Sequence, residues 1–252
     1  MFEPVDAFSS FLTTLSRGGK GLMVRQAAVE VPEKMLVLYD MEGCPFCRLV
    51  REELTELDLD ALIYPCPKNG KRFRPTAEKK IGRAQFPLLE DPNTGESLLE
   101  SQAIIQYLRK QYAVRKKSST VFRGPAVISS VFGSMFRPGK GVYARASRAP
   151  AMPLTLYSFE GSPYCRRVRE VLSELEIPYE LRNLGKGALF DFVGAELRSS
   201  LFKSRDESTI KRQGLADRAG SMKVPYLIDP NTGKEMYESS TIMRYLNEHY
   251  AS

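Results

Sequence analysis

Tyr39-x3-Gly43-Cys44-Pro45-Phe46-Cys47-Arg48 returns as Tyr157-x3-Gly161-Ser162-Pro163-Tyr164-Cys165-Arg166, shifted by 118 positions. The match continues through Val50-Arg51-Glu52 and Val168-Arg169-Glu170, and through Glu56-Leu57 and Glu174-Leu175. Further on, Phe86-Pro87-Leu88-Leu89-Glu90-Asp91-Pro92-Asn93-Thr94-Gly95 returns as Val224-Pro225-Tyr226-Leu227-Ile228-Asp229-Pro230-Asn231-Thr232-Gly233, now shifted by 138. Glu100-Ser101, Tyr107-Leu108 and Tyr112 keep that shift as Glu238-Ser239, Tyr245-Leu246 and Tyr250. A repeat of this length is the sequence mark of a duplicated unit, and the change of shift places a 20-residue insertion within 186–222. Upstream, Phe8, Phe11, Leu12 and Leu15 have the spacing of an amphipathic helix, as do Ile128, Val131, Phe132 and Met135. Each set is followed by Gly-Lys-Gly, at 19–21 and 139–141. Each such lead-in helix covers an apolar face of its domain or joins the two copies, the alternative being a membrane-surface anchor.

Within one copy the pattern reads strand, helix, strand, helix, strand, strand, helix. Met35 to Asp40 is a short apolar run, Glu42-Gly43 a turn, and Pro45 suits a first helical turn, where its missing N–H is not needed. Val50, Leu54 and Leu57 supply the inward face of that helix, Ala61 to Tyr64 a second strand, and 76–83 a short helix. A strand at Pro87 to Glu90, the Asp91-to-Gly95 turn, a strand near Ser97 to Leu99 and a helix from Ser101 to Tyr112 complete the unit. A βαβ unit followed by ββα is the thioredoxin topology. The expected fold is therefore α/β, two tandem thioredoxin-like domains, with no all-helical domain after them. The expected division is a lead-in at 1–33, a first domain at 34–113, a basic connector with the second lead-in helix at 114–151, and a second domain at 152–252.

Topology also places the chemistry. In a right-handed βαβ unit the two strands are parallel and end on one sheet edge, so Cys44, Cys47 and Cys66 are expected there with Pro87 and the Glu100-Ser101 helix start. A cysteine at a helix N-cap faces unpaired N–H groups and the positive end of the dipole, which favour thiolate. That makes Cys44 the expected nucleophile, with Arg48 in support, and Cys47 the resolving thiol one turn deeper. Cys66 is either a plain strand-end cysteine or a third thiol. In the second copy Ser162 stands at the nucleophile position and only Cys165 remains. No dithiol cycle is possible there; the copy is either structural or a site whose Ser162 hydroxyl donates to a bound thiolate. The single histidine, His249, reads as a surface residue, so no Cys-His or Ser-His nucleophile is available.

Composition excludes several classes. Hydrophobic residues at 42% and charged ones at 27% are those of a globular protein, and no apolar stretch approaches the roughly 20 residues of a membrane span. Glu3, Asp6, Glu30 and Glu33 argue against a signal or transit peptide. Four cysteines, two of them paired as C-x-x-C, fit a reducing compartment, cytoplasmic or like a plastid stroma. No metal is expected, because zinc would need Cys66 and Cys165 to join the pair and no spacing links them. The net charge of +7 is local: residues 113–151 hold eight Lys and Arg and no acid, which leaves the two copies near neutral. A basic stretch of that kind, away from stacking aromatics, does not predict nucleic-acid binding.

The Cys-Pro-Phe-Cys motif resembles glutaredoxins and omega-type transferases, and the copies resemble the thioredoxin-like N-terminal domain of glutathione S-transferases. The resemblance covers about 34–112 and 152–250. It implies that Phe86-Pro87 and Val224-Pro225 are the family's cis-proline step, whose preceding residue offers its backbone to glutathione. It implies that Glu100-Ser101 and Glu238-Ser239 hold the γ-glutamyl end. The tandem arrangement resembles bacterial and plant plastid proteins with two such domains. The implied activity is glutathione-linked thiol–disulfide exchange on disulfide or glutathionylated substrates, with glutathione as co-substrate. Glutathione conjugation, and a non-catalytic glutathione-binding or scaffold role, are the alternatives.

Overall fold

The computed structural model describes residues 9–10, 20–24, 27–113, 137, 139–185 and 207–252. Of the first lead-in helix only residues 9–10 are among them; the second lead-in helix and 186–206 of the insertion fall outside. The first half contains β1 (Leu36–Asp40), α1 (Pro45–Glu56), β2 (Ala61–Pro65), α2 (Arg74–Ile81), β3 (Leu88–Asp91), β4 (Glu96–Leu99) and α3 (Ser101–Tyr112). The second contains β5 (Leu154–Ser158), α4 (Pro163–Glu174), β6 (Tyr179–Asn183), α5 (Glu207–Ala219), β7 (Tyr226–Asp229), β8 (Lys234–Tyr237) and α6 (Ser239–Tyr250). The β-α-β-α-β-β-α order read from the sequence is present in both halves. The expected strands and helices shift by a residue or two at their ends. The insertion is spent partly on α5, 13 residues long against 8 for α2.

All eight strands form one sheet, in the order β4-β3-β1-β2-β6-β5-β7-β8. Within each half the first two strands are parallel and the outer pair antiparallel. The halves join where β2 pairs with β6, antiparallel, with Ala61 opposite Leu181 and Ile63 opposite Tyr179. An open edge strand exposes a row of unpaired amides and carbonyls; here each half closes the other's edge. Because the joint is antiparallel, β1 and β5 point in opposite directions, and the loops that follow them lie at opposite edges of the sheet.

One apolar cluster runs through both halves. Leu36, Leu38, Val50, Leu54, Ile63, Ile104 and Leu108 pack in it together with Leu154, Leu156, Val168, Leu172, Leu181, Ile242 and Leu246. This layer lies under α1, α3, α4 and α6. Two smaller clusters hold the remaining helices: Tyr39, Cys66, Ala77 and Leu88 beside α2, and Leu184, Leu215 and Tyr226 beside α5. Truncating a core leucine such as Leu54 would cost about 2–5 kcal/mol.

The Asp-Pro-Asn-Thr-Gly turn is an acceptor hub. Asp91 Oδ1 takes the Asn93 N–H and side-chain amide, both at 2.8 Å, while Oδ2 takes the Tyr107 hydroxyl at 2.7 Å and that of Tyr112. Asn93 then bonds both ways to the Lys34 backbone. The second half repeats the hub with Asp229, Asn231, Tyr245 and Tyr250, and Asn231 bonds to Met152. Each hub ties a β-turn to the last helix of its half. The conserved spacing of the repeat at these positions is therefore structural.

Candidate functional site

Register assembles the site. Asp40 lies opposite Pro65 and Tyr39 opposite Leu88, while Leu88 lies opposite Leu99. Cys44, Cys66, Pro87 and Glu100 thus extend from one sheet edge. In the second half Tyr157 opposite Tyr226, and Tyr226 opposite Tyr237, bring Ser162, Pro225 and Glu238 to the other edge. The Phe86-Pro87 and Val224-Pro225 peptide bonds are both cis.

Cys44 is the N-cap of α1, with extended backbone (φ −79°, ψ 123°), and Pro45 opens the helix. Its N–H donates to Met41 O at 2.9 Å and its carbonyl accepts from Arg48 at 3.1 Å. Cys44 retains 8% of its surface and Cys47 none, while Phe46 between them is exposed. A hydrogen bond from the Cys47 thiol outweighs burial and, with the N–H groups of Cys47 and Phe46 and the charge of Arg51, holds the Cys44 thiol at about 7. Cys47 goes the opposite way: burial, the bond to Cys44 and the charges of Cys44 and Asp40 push it well above the ordinary thiol value. Cys66, fully buried at the end of β2, is also pushed up, by burial first and by Asp40 next. Its N–H donates to Asp40 O at 2.5 Å, its thiol to Tyr64 O at 3.5 Å. The Arg74 guanidinium lies 5.0 Å from the Phe86 ring centre and donates to Cys66 O at 3.1 Å.

At the helix starts, Glu100 (φ 69°) and Glu238 (φ 66°) are non-glycine residues at positive φ, each followed by a buried serine, Ser101 and Ser239. Such a conformation costs of order 1–3 kcal/mol and tends to collect at ligand sites. Both glutamates are exposed. In the second motif Ser162 Oγ accepts the Cys165 N–H at 3.2 Å, a true side-chain cap, and both residues are buried. Tyr164 is exposed as Phe46 is. Ser10 donates to Pro163 O at 2.8 Å, so residues 9–10 of the first lead-in rest on the second motif.

The sequence reading missed the charges between the halves. Arg51, in the middle of α1, is buried and reaches Glu160 of the second half, Nε to Oε2 2.9 Å, as well as Asp40 and, at 3.1 Å, the Glu42 carbonyl. Arg169 is its counterpart on α4 and bonds Glu42 through Nε and Nη2, 3.1 Å each. Glu160 is a further partner of Arg169, at 2.8 Å. Burial works to raise Glu160, but Arg169 and Arg51 prevail and hold it at about 2. Burial lifts Asp40 to about 6 in spite of Arg51. Arg48, expected to support the thiolate, is buried at 3.7 Å from Glu160, and the cation that acts on Cys44 is Arg51. The clue lay inside the repeat, in the Glu of each x3 gap and in the Arg51/Arg169 pair, charges kept at the same spacing on both copies.

His249 is exposed and stacks on Tyr245 with centres 5.5 Å apart. Among the described residues no group of three or more His, Cys, Asp or Glu is set to hold a metal ion, and no helix is long and apolar enough to cross a membrane.

A family profile described as the glutathione S-transferase N-terminal domain matches residues 38–117 and again 156–252. Among solved structures, a glutathione transferase of Bombyx mori is 18% identical over 87% of this chain and 78% of its own, with a TM-score of 0.31. A trimeric glutathione transferase of Leishmania is 13% identical over 87% and 67%, with a TM-score of 0.28. Among curated proteins no sequence matches. With two segments that together span most of its length matched to one profile, the chain belongs to the glutathione S-transferase N-terminal domain family.

Proposed function

We propose that the protein is a glutathione-linked thiol–disulfide oxidoreductase, built as two tandem domains, 34–113 and 152–252, of which only the first turns over. The observation that carries this reading is the opposite bias of two thiols in one helical turn: Cys44 is held at about 7, and Cys47 is buried and pushed up. A thiol at about 7 is substantially thiolate at neutral pH, and the protonated partner is a reserve nucleophile released only after the first is consumed.

The Cys44 thiolate attacks the glutathione sulfur of a mixed disulfide R–S–SG. The Cys44–SG bond forms, the RS–SG sulfur–sulfur bond breaks, and R–S⁻ leaves and takes a proton. One glutathione thiolate then attacks the Cys44-bound sulfur, releasing glutathione disulfide and restoring the Cys44 thiolate. For a dithiol route, Cys47 loses its proton, attacks Cys44 and expels glutathione thiolate, and two further glutathiones reduce the Cys44–Cys47 disulfide. Phe86 and Pro87 would line the glutathione cysteinyl backbone. Glu100 and Ser101, an exposed carboxylate and a hydroxyl at the start of α3, would receive its γ-glutamyl ammonium and carboxylate.

A second reading concerns the other edge. Val224-Pro225 and Glu238-Ser239 repeat the same geometry, down to the positive φ of the glutamate. Ser162 Oγ accepts the Cys165 N–H, which leaves its proton to donate. The second domain would then bind glutathione beside Ser162 and Cys165 without redox turnover.

The test is reduction of a glutathionylated substrate coupled to glutathione oxidation. Cys44→Ser is expected to abolish turnover, and Cys47→Ser to keep it on glutathionylated substrates while losing the dithiol route. Undiminished turnover by Cys44→Ser refutes the proposal. Conjugation of a model electrophile by that same variant would establish transferase chemistry in its place.

A further inference from the structure

Asp40 to Gly43 carry the chain from the end of β1 to Cys44, and residues of the second half and of the connector before it grip this loop. The Glu42 N–H donates to Ser173 Oγ at 3.4 Å, and the Glu42 carboxylate receives two N–H groups of Arg169. Ser173 also donates to Gly141 O at 3.0 Å, and the same carbonyl accepts the Gly43 N–H at 3.4 Å. Space is closed as well. A Cβ on Gly43 would lie 2.3 Å from Val142 Cγ2 and 2.9 Å from Lys140 O, and one on Gly141 would lie 2.9 Å from Glu42 Cβ. Arg169 is itself anchored in its own half, on Ser158 Oγ at 3.0 Å and on the carbonyls of Phe159 and Glu160 at 3.2 Å. Below the motif, Arg51 stands one turn after Cys47 on the same face of α1. Its Nε bond goes to Glu160.

We infer that the second half, with the connector that leads into it, is a positioning element for the thiol of the first: Arg169, Ser173 and the connector's Gly141 hold the Asp40–Gly43 loop, and Glu160 holds Arg51. The half without a nucleophile thereby governs how Cys44 is presented at the start of α1. This rests on the reading of Cys44 as the nucleophile. The N–H groups that favour its thiolate belong to Phe46 and Cys47, and they are aimed only while the loop fixes the first helical turn. Apart from each other, the charged groups that act on the two thiols are Arg51 on α1 and Asp40 on β1. Arg169 and Glu160 act through that loop and through Arg51, so they are positioning residues.

Cys44 alkylation by iodoacetamide, followed by peptide mass spectrometry across pH in the full chain, reads this directly. Arg169→Met is expected to raise the midpoint by about half a pH unit or more, a roughly threefold loss of thiolate at pH 6. Arg169→Lys, which keeps the charge and loses the two-pronged grip, is expected to fall between. Ser173→Ala removes only a hydroxyl and leaves the fold in place should Arg169→Met fail to fold. It is expected to speed hydrogen exchange at the Glu42 and Gly43 amides and to raise the midpoint in the same direction. Folded variants with a lowered Tm and an unmoved Cys44 profile would show a purely structural joint and overturn the inference. An ordinary thiol profile in the unmutated protein would instead overturn the nucleophile reading.

Discussion

Replacing Cys47 by alanine and by serine separates the hydrogen bond it gives Cys44 from everything else it does. That bond is the largest influence holding Cys44 at about 7, against an ordinary thiol value of 9.0. Serine keeps an O–H donor at the same place; alanine keeps none. At pH 7 a thiol at about 7 is about half thiolate and one at 9.0 about 1% thiolate, a difference of roughly 50-fold. A more basic thiolate is intrinsically faster, by roughly eightfold over that interval, so the largest possible loss of rate at pH 7 is roughly sixfold. The alanine variant stays short of that limit, because the N–H groups of residues 46 and 47 and the Arg51 charge remain. The expected result is a roughly two- to fivefold slower alkylation of Cys44 at pH 7, with the two rate profiles crossing near pH 8. Cys47→Ser should track the unmutated protein across the range. The assay is the iodoacetamide rate at Cys44, resolved by peptide so that Cys66 and Cys165 do not contribute. Coincident profiles for alanine and serine would refute the reasoning, since the donor would then have no part in setting the thiol.

Two other expectations concern stability. Asp40, raised to about 6 from 3.8, favours the folded state fully below 3.8 and loses that contribution as pH rises through 6; about 3 kcal/mol is at stake. Glu160, held at about 2 from 4.5, contributes above 4.5 and loses it as pH falls toward 2. Urea unfolding at pH 4.5 and 7 should therefore show falling stability in the unmutated protein and a flatter response in Asp40→Asn; equal slopes would reject the assignment. Tyr112→Phe removes one of two hydroxyls on Asp91 Oδ2 and should cost about 1–2 kcal/mol, as should Tyr250→Phe on Asp229. A difference of several kcal/mol between the two in denaturant unfolding would contradict their equivalence.

The strands, helices and turns were legible because they are local. Alternating or clustered apolar residues, Pro45 and Pro163 at helix starts, and the Asp-Pro-Asn-Thr-Gly turns each impose a backbone shape with little help from elsewhere. The joining of two sheets into one was not legible. Strand pairing uses amides and carbonyls that every residue carries, so Ala61-Leu62-Ile63 and Tyr179-Glu180-Leu181 bear no mark of each other. The charges of α1 were hidden for a related reason. Val50, Leu54 and Leu57 mark its inward face, and nothing local shows that Arg48, Arg51 and Glu52 are buried too. Their face meets α4 and the Glu160 loop, which only the assembled sheet brings near. The longer second-half helix is similar: α5 sends Lys211 across to Asp58 O at 2.8 Å and Asp60 at 3.1 Å, contacts no periodicity foretells.

Ser162 at the position that matches Cys44, and the charges kept at matching positions in both halves, have one physical explanation. Serine in place of cysteine at position 162 nearly preserves volume and supplies a better helix cap, so the exchange removes chemistry without loosening the fold. Arg169 and Glu160 have no such latitude. Each is the buried partner of an opposite charge in the first half, and removing one member of such a pair leaves the other charged and desolvated, at a cost of about 3–5 kcal/mol. The charges that must stay are those facing the joint; position 162 caps its own helix and belongs to no such pair. A chain built this way can do without a thiol at position 162, but it cannot do without the half that carries that position, because the loop before Cys44 and the arginine beneath it are both held from that side.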